Sequence, residues 1–152
     1  MKKLFVLSLI VLFLTPALWA QGEEDFSTPL AAFQTYIRAC QSHDFDAVDN
    51  CFTKEFNRFK KSNKEYMKHR NMGQLDNELS CVLNKEIQVD LHSRKAIIYL
   101  YPEDRKTSPY FMTKEGGQWK IDGMFMWNNI IFDQKDEWHW GNGNKEKAFL
   151  NS

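Results

Sequence analysis

Aromatic side chains are the residues of this chain best suited to hold a ligand. A buried tyrosine or tryptophan combines a large apolar surface with one polar group that needs a hydrogen-bond partner. The candidates come from both halves of the chain and are Phe33, Tyr36, Phe56, Tyr66, Tyr99, Tyr101, Trp119 and Trp127. Each of them, taken singly, also fits an ordinary core position. As a set, they predict an apolar pocket for a small ligand.

Carboxylates and histidines give less support to a catalytic site. An acid–base enzyme needs a titratable group aimed into an apolar cavity. Asp90, His92 and Asp122 alternate out of phase with their apolar neighbours, which predicts that they face solvent. The densest polar group runs from His43 to Asp49, and helix capping accounts for its aspartates. We therefore assign no catalytic residue from the sequence.

The first 20 residues have the layout of a secretory signal peptide, as found in bacterial exported proteins. Lys2 and Lys3 precede an apolar core from Leu4 to Leu14, and a small residue, Ala20, ends the segment. This core is shorter than the roughly 20 residues that a spanning helix needs. We expect cleavage after Ala20 rather than retention as an anchor. The mature protein would then be secreted or periplasmic and would have no membrane span.

The charge of the remaining chain is nearly balanced. The full sequence has 20 basic and 20 acidic residues, so removal of Lys2 and Lys3 leaves 18 basic against 20 acidic. Lysines and arginines do cluster between Lys54 and Arg70, but Glu55 and other acids interrupt them. This pattern is typical of a solvated helix face, whereas a nucleic-acid partner requires a clustered basic surface. We expect no nucleic-acid binding.

Three cysteines, Cys40, Cys51 and Cys81, follow the predicted signal. An exported protein meets an oxidising compartment, which permits a disulfide. Cys40 and Cys51 flank a short connection and are the preferred pair, although the absence of any bond is equally compatible with the sequence. No Cys-x-x-Cys motif occurs and the four histidines are scattered, so neither a metal nor another cofactor is predicted.

The first half of the chain has helical spacing. Thr28, followed by proline, is suited to cap a helix that ends near Ser42. Asp44 is suited to cap a short second helix. Thr53 is suited to cap a third, which we expect to end at residues 71–73.

The second half alternates apolar and polar residues with a period of two, which indicates strands. Residues 87–91 and 96–101 are predicted to pair across a turn. Residues 110–114 and 118–127 are predicted to form a hairpin around Gly116-Gly117.

This hairpin has one predicted register, in which Glu115 faces Gln118 and Met112 faces Ile121. Apolar side chains then share one face of the sheet. They are Tyr110, Met112, Trp119, Ile121 and Phe125. Met124 and Met126 fall on the other, nominally polar face, which suggests that something covers it there.

Two segments, "TPLAAFQTYIRACQSHDFDAVDNCF" and "GGQWKIDGM", resemble the nuclear transport factor 2-like superfamily. The similarity is greatest to its small exported bacterial members with a SnoaL-like or uncharacterised domain. The matching residues are Pro29, Ala32, Phe33, Tyr36, Ala39, Asp44, Gly117, Trp119, Lys120 and Ile121. The resemblance covers about Ser27 to Asp133.

This resemblance implies an α+β fold in which N-terminal helices pack in the concave face of a curved antiparallel sheet. Such a cone-shaped fold has an apolar pocket at its open end. The implied organisation is a signal peptide at 1–20, a flexible lead at 21–26, the domain at 27–133 and an aromatic tail at 134–152. We expect Trp138 and Trp140 of the tail to pack back on the domain rather than bind a partner.

Our leading hypothesis is an exported binding module for a small apolar ligand or a protein partner, without catalysis. One alternative is a small-molecule isomerase or hydrolase of the same fold, which requires an Asp, Glu or His inside the pocket. Another is a structural subunit of an envelope complex, forming a homodimer through an exposed apolar sheet face and having little cavity.

Overall fold

The computed structural model describes residues 23–68 and 70–152. The predicted signal peptide lies outside these residues. The chain forms helices followed by an antiparallel sheet, and the predicted α+β class is confirmed. In chain order the elements are α1 (Pro29–Gln41), α2 (Phe45–Asn50), α3 (Lys54–Ser62), α4 (Lys64–Lys68), α5 (Met72–Val82), β1 (Glu86–His92), β2 (Lys95–Tyr101), β3 (Tyr110–Glu115), β4 (Gln118–Ile121), α6 (Gly123–Asn129), β5 (Ile130–Phe132), β6 (Trp138–Trp140) and α7 (Glu146–Leu150).

The three predicted N-caps are confirmed. Thr28 Oγ1 accepts a hydrogen bond from the backbone N–H of Ala31 at 3.1 Å, at the start of α1. The Asp44 carboxylate accepts two backbone N–H bonds at the start of α2. The Thr53 side chain caps α3 in the same way. Each cap satisfies backbone donors that have no partner inside the helix.

The predicted end of the third helix was wrong. The helix stops at Ser62, and a short α4 follows it. Asn71 then begins α5, because its Oδ1 accepts a hydrogen bond from the backbone N–H of Gln74 at 3.0 Å. Asparagine occurs at both ends of helices, and here its side chain serves the following helix.

The four-stranded sheet has the order β1-β2-β3-β4, with antiparallel neighbours throughout. The predicted hairpin register is confirmed, with Glu115 facing Gln118 and Met112 facing Ile121. Gly116 and Gly117 have φ of +57° and +84°. Glycine adopts such values at little steric cost, so this dipeptide can close a two-residue turn.

The second strand of the hairpin is shorter than predicted. It ends at Ile121, and the chain then enters α6, where Asp122 Oδ1 accepts a hydrogen bond from Phe125 N–H at 3.0 Å. Met124 and Met126 therefore lie on a helix and not on a sheet face. Phe125 was assigned to the wrong face, since it packs on Phe111 at a ring-centroid distance of 4.7 Å.

Both faces of the sheet carry a core. Helix α1 covers one face, where its buried side chains meet Ala96, Ile98, Met112 and Ile121. The other face holds a smaller cluster in which Ile97, Phe111 and Phe149 are fully or almost fully buried. The C-terminal segment seals this second cluster, because Phe149 belongs to α7.

The prediction that the tail packs back on the domain is confirmed for both tryptophans. Strand β6 pairs with β5, which places Trp138 opposite Phe132 and Trp140 opposite Ile130. Trp138 is buried, and Trp140 contacts Phe111 with ring centroids 5.7 Å apart. At the other end of the chain, Phe26 of the predicted lead is also buried, and its carbonyl accepts a hydrogen bond from Trp119 N–H.

Within residues 23–68 and 70–152, no helix has the length and apolar character needed to cross a membrane.

Candidate ligand-binding site

A cavity of about 940 Å³ lies between the helices and the sheet. Helices α1 and α3 to α6 contribute to its lining, together with β3, β5 and the loop at residues 106–108. Tyr36 and Tyr110 are buried at its inner end, whereas Trp127 and Phe132 are about half exposed. The cavity therefore runs from the core to an apolar rim.

One side of the cavity is a continuous row of aromatic rings, which we call the aromatic wall. From the inner end to the rim it comprises Tyr110, Tyr36, Phe52, Phe56, Tyr66 and Trp127. Successive ring centroids are 5.7, 5.7, 5.1, 5.8 and 6.2 Å apart. These separations are typical of aromatic pairs in contact, so each ring supports the next.

Helix α5 supplies polar side chains to the cavity. Gln74, Asn77, Glu78 and Cys81 all line it, at the spacing that places residues on one face of a helix. Leu75 on the same helix packs into the core instead. Gln74, Glu78 and Cys81 are half-buried and Asn77 is exposed, so this polar stripe borders the cavity and continues to the surface.

Glu78 is the acidic group of this stripe, and both of its carboxylate oxygens accept hydrogen bonds. Oε2 accepts one from the Tyr36 hydroxyl, and Oε1 accepts one from the Gln74 side-chain amide at 3.2 Å. Both donors are uncharged. No ion pair among the described residues includes Glu78.

Burial raises the pKa of the Glu78 carboxyl above its usual range, because desolvation penalises the charged form. The hydrogen bonds from Tyr36 and Gln74 and the charge of Lys60 lower this pKa in opposition. Burial also raises the pKa of Tyr110 and Tyr36 well above the usual range, with the negative charge of Glu78 adding to the effect. Both phenols therefore stay protonated and able to donate.

A second carboxylate, that of Asp49, lies beside the same wall in a different environment. Its Oδ1 is 2.6 Å from Lys60 Nζ, and its Oδ2 is 2.8 Å from an Arg70 guanidinium nitrogen. The Lys60 ammonium also lies over the rings of Phe52 and Phe56, at 4.5 and 5.2 Å from their centroids. We call Asp49, Lys60 and Arg70 the ion-pair cluster.

Four of the eight aromatic residues proposed from the sequence line the cavity, namely Tyr36, Phe56, Tyr66 and Trp127. Two others, Phe33 of α1 and Trp119 of β4, are buried in the core and do not line the cavity.

The remaining two, Tyr99 and Tyr101, do not reach this cavity. They alternate with Ile98 and Leu100 along β2 and so project from the opposite face of the sheet. There they line a smaller cavity of about 100 Å³ together with Trp138. The alternation of side chains along β2, which is a local property, therefore places these two tyrosines on the sheet face away from the larger cavity.

The prediction that Asp90 and His92 face solvent is confirmed, whereas the same prediction was wrong for Asp122, whose side chain is only 17% exposed. Asp90 and His92 are exposed on β1, and His92 Nδ1 is 2.7 Å from the carbonyl oxygen of Leu150. Asp122 caps α6.

Glu78 and Gln74 were missed by the sequence analysis. The cause was the wrong end assigned to the third helix, which left residues 74–78 without any predicted element. Leu75, Leu79 and Val82 recur at helical spacing after a possible Asn71 cap. That signal would have predicted α5 and placed Glu78 on a helix flank.

All three cysteines are free, so the possible disulfide between Cys40 and Cys51 is not formed in this structure. Burial raises the pKa of Cys40 and of Cys51 to about 12. Both are therefore protonated thiols packed as small apolar side chains.

One surface group has the donor types of a metal site. Single ligand atoms of Asp133, Glu137 and His139 lie within 4.8 Å of one another. The Asp133 oxygens already accept backbone N–H bonds from Lys135 and Glu137 and contact His139 Nε2 at 3.0 Å. A turn stabilised by Asp133 accounts for this arrangement, and we assign no metal to it.

No family model, curated protein or solved structure matches this chain. The chemistry of the cavity is therefore inferred from its own residues.

Proposed function

We propose that this protein is a binding module for a small, largely apolar ligand held in the 940 Å³ cavity. The observation that carries the proposal is the aromatic wall, which runs from the core to the rim. A few polar groups of α5 lie beside it, among them Glu78 next to Tyr36. Small-molecule sites typically have volumes of about 300–1,000 Å³ and combine apolar walls with a few oriented polar groups.

The energetics favour a ligand with an extended apolar body. Each 100 Å² of apolar ligand surface removed from water contributes about 2.5 kcal/mol before the costs of association. The wall rings already contact one another, so they lose little side-chain freedom when a ligand binds. The half-exposed rim residues Trp127 and Phe132 offer further apolar surface where a ligand would enter.

Membership of the nuclear transport factor 2-like superfamily remains part of this proposal, as does export. Helices followed by an antiparallel sheet, with a cavity between them, are compatible with that fold. Export rests on the sequence of residues 1–20 alone. Intact-mass measurement of the protein from the culture or the periplasm tests it, since cleavage after Ala20 predicts Gln21 as the first residue.

A second candidate function is acid–base catalysis on a small molecule, as in an isomerase or hydrolase. Glu78 favours it, because a carboxyl group facing an apolar cavity with a raised pKa is suited to proton transfer. If a turnover reaction is found, Glu78→Gln should abolish it and leave binding of a neutral probe such as Nile red intact. Retention of turnover in that variant would contradict this candidate.

The structural-subunit hypothesis receives less support. It required an exposed apolar sheet face, for which Met124 and Met126 were candidate residues, and these residues lie on α6. It also required little cavity. A homodimer formed through the sheet stays a prediction.

Filling the cavity tests the binding proposal. Cys81 lines the cavity from α5, whereas Ser80 is exposed on the same helix and does not line it. We expect Cys81→Phe to weaken binding of the neutral dye Nile red by about tenfold or more, a loss of about 1.4 kcal/mol.

Ser80→Phe is the matched control and should bind the dye as the wild type does. Thermal unfolding of both variants checks that the fold is retained. Equal dye affinity of Cys81→Phe and the wild type would contradict binding in this cavity.

A further inference from the structure

Resting on the proposed binding function, we infer that the cavity prefers an organic cation, an amine with an apolar aromatic or alkyl body, over a neutral or anionic molecule of the same shape. The inference identifies the chemical class of the ligand from the groups at the inner end of the cavity. It concerns recognition and requires no reaction.

The first argument is that Glu78 forms no ion pair among the described residues. Among the described residues its oxygens accept hydrogen bonds from Tyr36 and Gln74, which are uncharged, and the nearby Lys60 ammonium pairs with Asp49 instead. Burying a carboxylate without a counter-charge is costly. An ammonium group bound beside Glu78 would remove that cost, whereas an anionic ligand would add to it.

The second argument is the aromatic surface next to this carboxylate. The Tyr36 ring carries the hydroxyl that contacts Glu78, and Phe52, Phe56 and Tyr66 continue the wall from there. A cation within about 6 Å of an aromatic ring centroid is attracted to the face of the ring. The same surface accepts the apolar body of the ligand.

The third argument is that the protein already binds an ammonium group of its own in this way. The Lys60 ammonium lies over Phe52 and Phe56 and contacts the Asp49 carboxylate, and its side chain is buried. Rings and a carboxylate thus hold a desolvated cation beside the wall. The cavity presents the same combination of rings and carboxylate at Glu78.

Charges near the rim do not oppose entry of a cation. Lys106 and Asp136 line the cavity there, and both are exposed. Lys106 Nζ donates a hydrogen bond to the backbone carbonyl of Lys135. Solvent screens these two exposed charges, so Glu78 is the charged group that discriminates among ligands.

Three probes of one shape test the inference by isothermal titration calorimetry near neutral pH: phenylbutylamine, phenylbutanol and phenylbutanoate. The amine is charged at this pH, as lysine is. We expect the wild type to bind the amine about tenfold or more tighter than the alcohol, which corresponds to a charge-assisted hydrogen bond. The carboxylate probe should bind most weakly.

Two isosteric variants locate the effect. Glu78→Gln should bring the amine affinity to within about threefold of the alcohol affinity and leave alcohol binding unchanged. Asp136→Asn removes the rim carboxylate and should preserve the preference for the amine. Asparagine tolerates the left-handed backbone at this position, where φ is +56°.

Failure of this inference is distinguishable from failure of the binding proposal. Equal affinities of the wild type for amine and alcohol would overturn the inference and leave binding in the cavity supported. A preference that survives Glu78→Gln would also overturn it, because another group would then select the cation. Absence of binding by all three probes would count against the proposed binding function itself.

Discussion

Two carboxylates lie beside the aromatic wall and meet different partners. Asp49 contacts the side-chain nitrogens of Lys60 and Arg70, one on each oxygen. Glu78 accepts hydrogen bonds from an uncharged hydroxyl and an uncharged amide. The first carboxylate is fully engaged in holding α2, α3 and the segment before α5 together. The second forms no ion pair among the described residues and lines a cavity.

This difference separates a carboxylate held in ion pairs from one held by uncharged donors. A buried ion pair is lost at high cost once one partner is removed, because the other charge stays buried. A half-buried carboxyl whose hydrogen-bond donors are uncharged, such as that of Glu78, can change its protonation state or bind an external cation. The ion-pair cluster and Glu78 therefore should respond differently to mutation.

The largest effect is expected from Asp49→Ala, which leaves Lys60 without its counter-charge. Lys60 is only 4% exposed, so its ammonium cannot regain full hydration. We expect a loss of about 3 kcal/mol in the free energy of unfolding. Urea denaturation measures it.

The control for this variant is Asp90→Ala, on the exposed strand β1, for which a change within about 0.5 kcal/mol is expected. A loss below about 1 kcal/mol for Asp49→Ala would show that the ion-pair cluster is not structural.

An intermediate effect is expected from Tyr36→Phe, which removes the hydroxyl that donates a hydrogen bond to Glu78. A hydrogen bond to a charged group contributes about 1.5–3 kcal/mol, so we expect a loss near about 1.5 kcal/mol at neutral pH. The loss should be smaller in acid, where Glu78 is protonated. Tyr101→Phe, on the other face of the sheet, should have little effect. Equal losses for both variants would mean that the hydrogen bond from Tyr36 to Glu78 does not stabilise the fold.

The smallest change in stability is expected from Glu78→Gln. The informative result is whether this variant is more or less stable than the wild type. The glutamine side chain keeps both contacts, because the Tyr36 hydroxyl can accept as well as donate. The folded-state pKa of Glu78 lies above its usual value of 4.5, so the folded state binds the proton more tightly than the unfolded state. The stabilisation that protonation of Glu78 gives the wild-type fold is therefore fully present below pH 4.5. It is lost as the pH rises through the folded-state pKa.

The expected result is a higher Tm for Glu78→Gln than for the wild type near neutral pH, and equal Tm values at about pH 4. Thermal unfolding across this range measures the difference. The neighbouring Tyr36 and Tyr110 stay protonated throughout, since burial raises their pKa values. A lower Tm for the variant near neutral pH would show that the ionised carboxylate stabilises the fold.

Local chemistry explains why part of this structure was predictable. The caps at Thr28, Asp44 and Thr53 use backbone donors within three residues of the capping side chain. The Gly116-Gly117 turn sets its register through the residues on either side of it. Errors arose where one residue serves either of two local structures, as at Asn71 and Asp122.

The candidate site was predictable only in part, for a related reason. Tyr36 and Tyr66 stood out because buried phenols need partners. Glu78 did not stand out, since its role depends on contacts over 42 positions of the chain with Tyr36. A single carboxylate in a helix is ordinary until its neighbours in space are known.

By itself, the sequence determined the α+β order of elements, the helix caps and the hairpin register, because these follow from side chains a few residues apart. Only the tertiary structure decided that a polar stripe of α5 lines a cavity, and that Asp49 forms ion pairs whereas Glu78 accepts hydrogen bonds from uncharged donors. The physical reason is that desolvation and charge pairing are set by which helices pack together. Those contacts join segments that are distant in the chain.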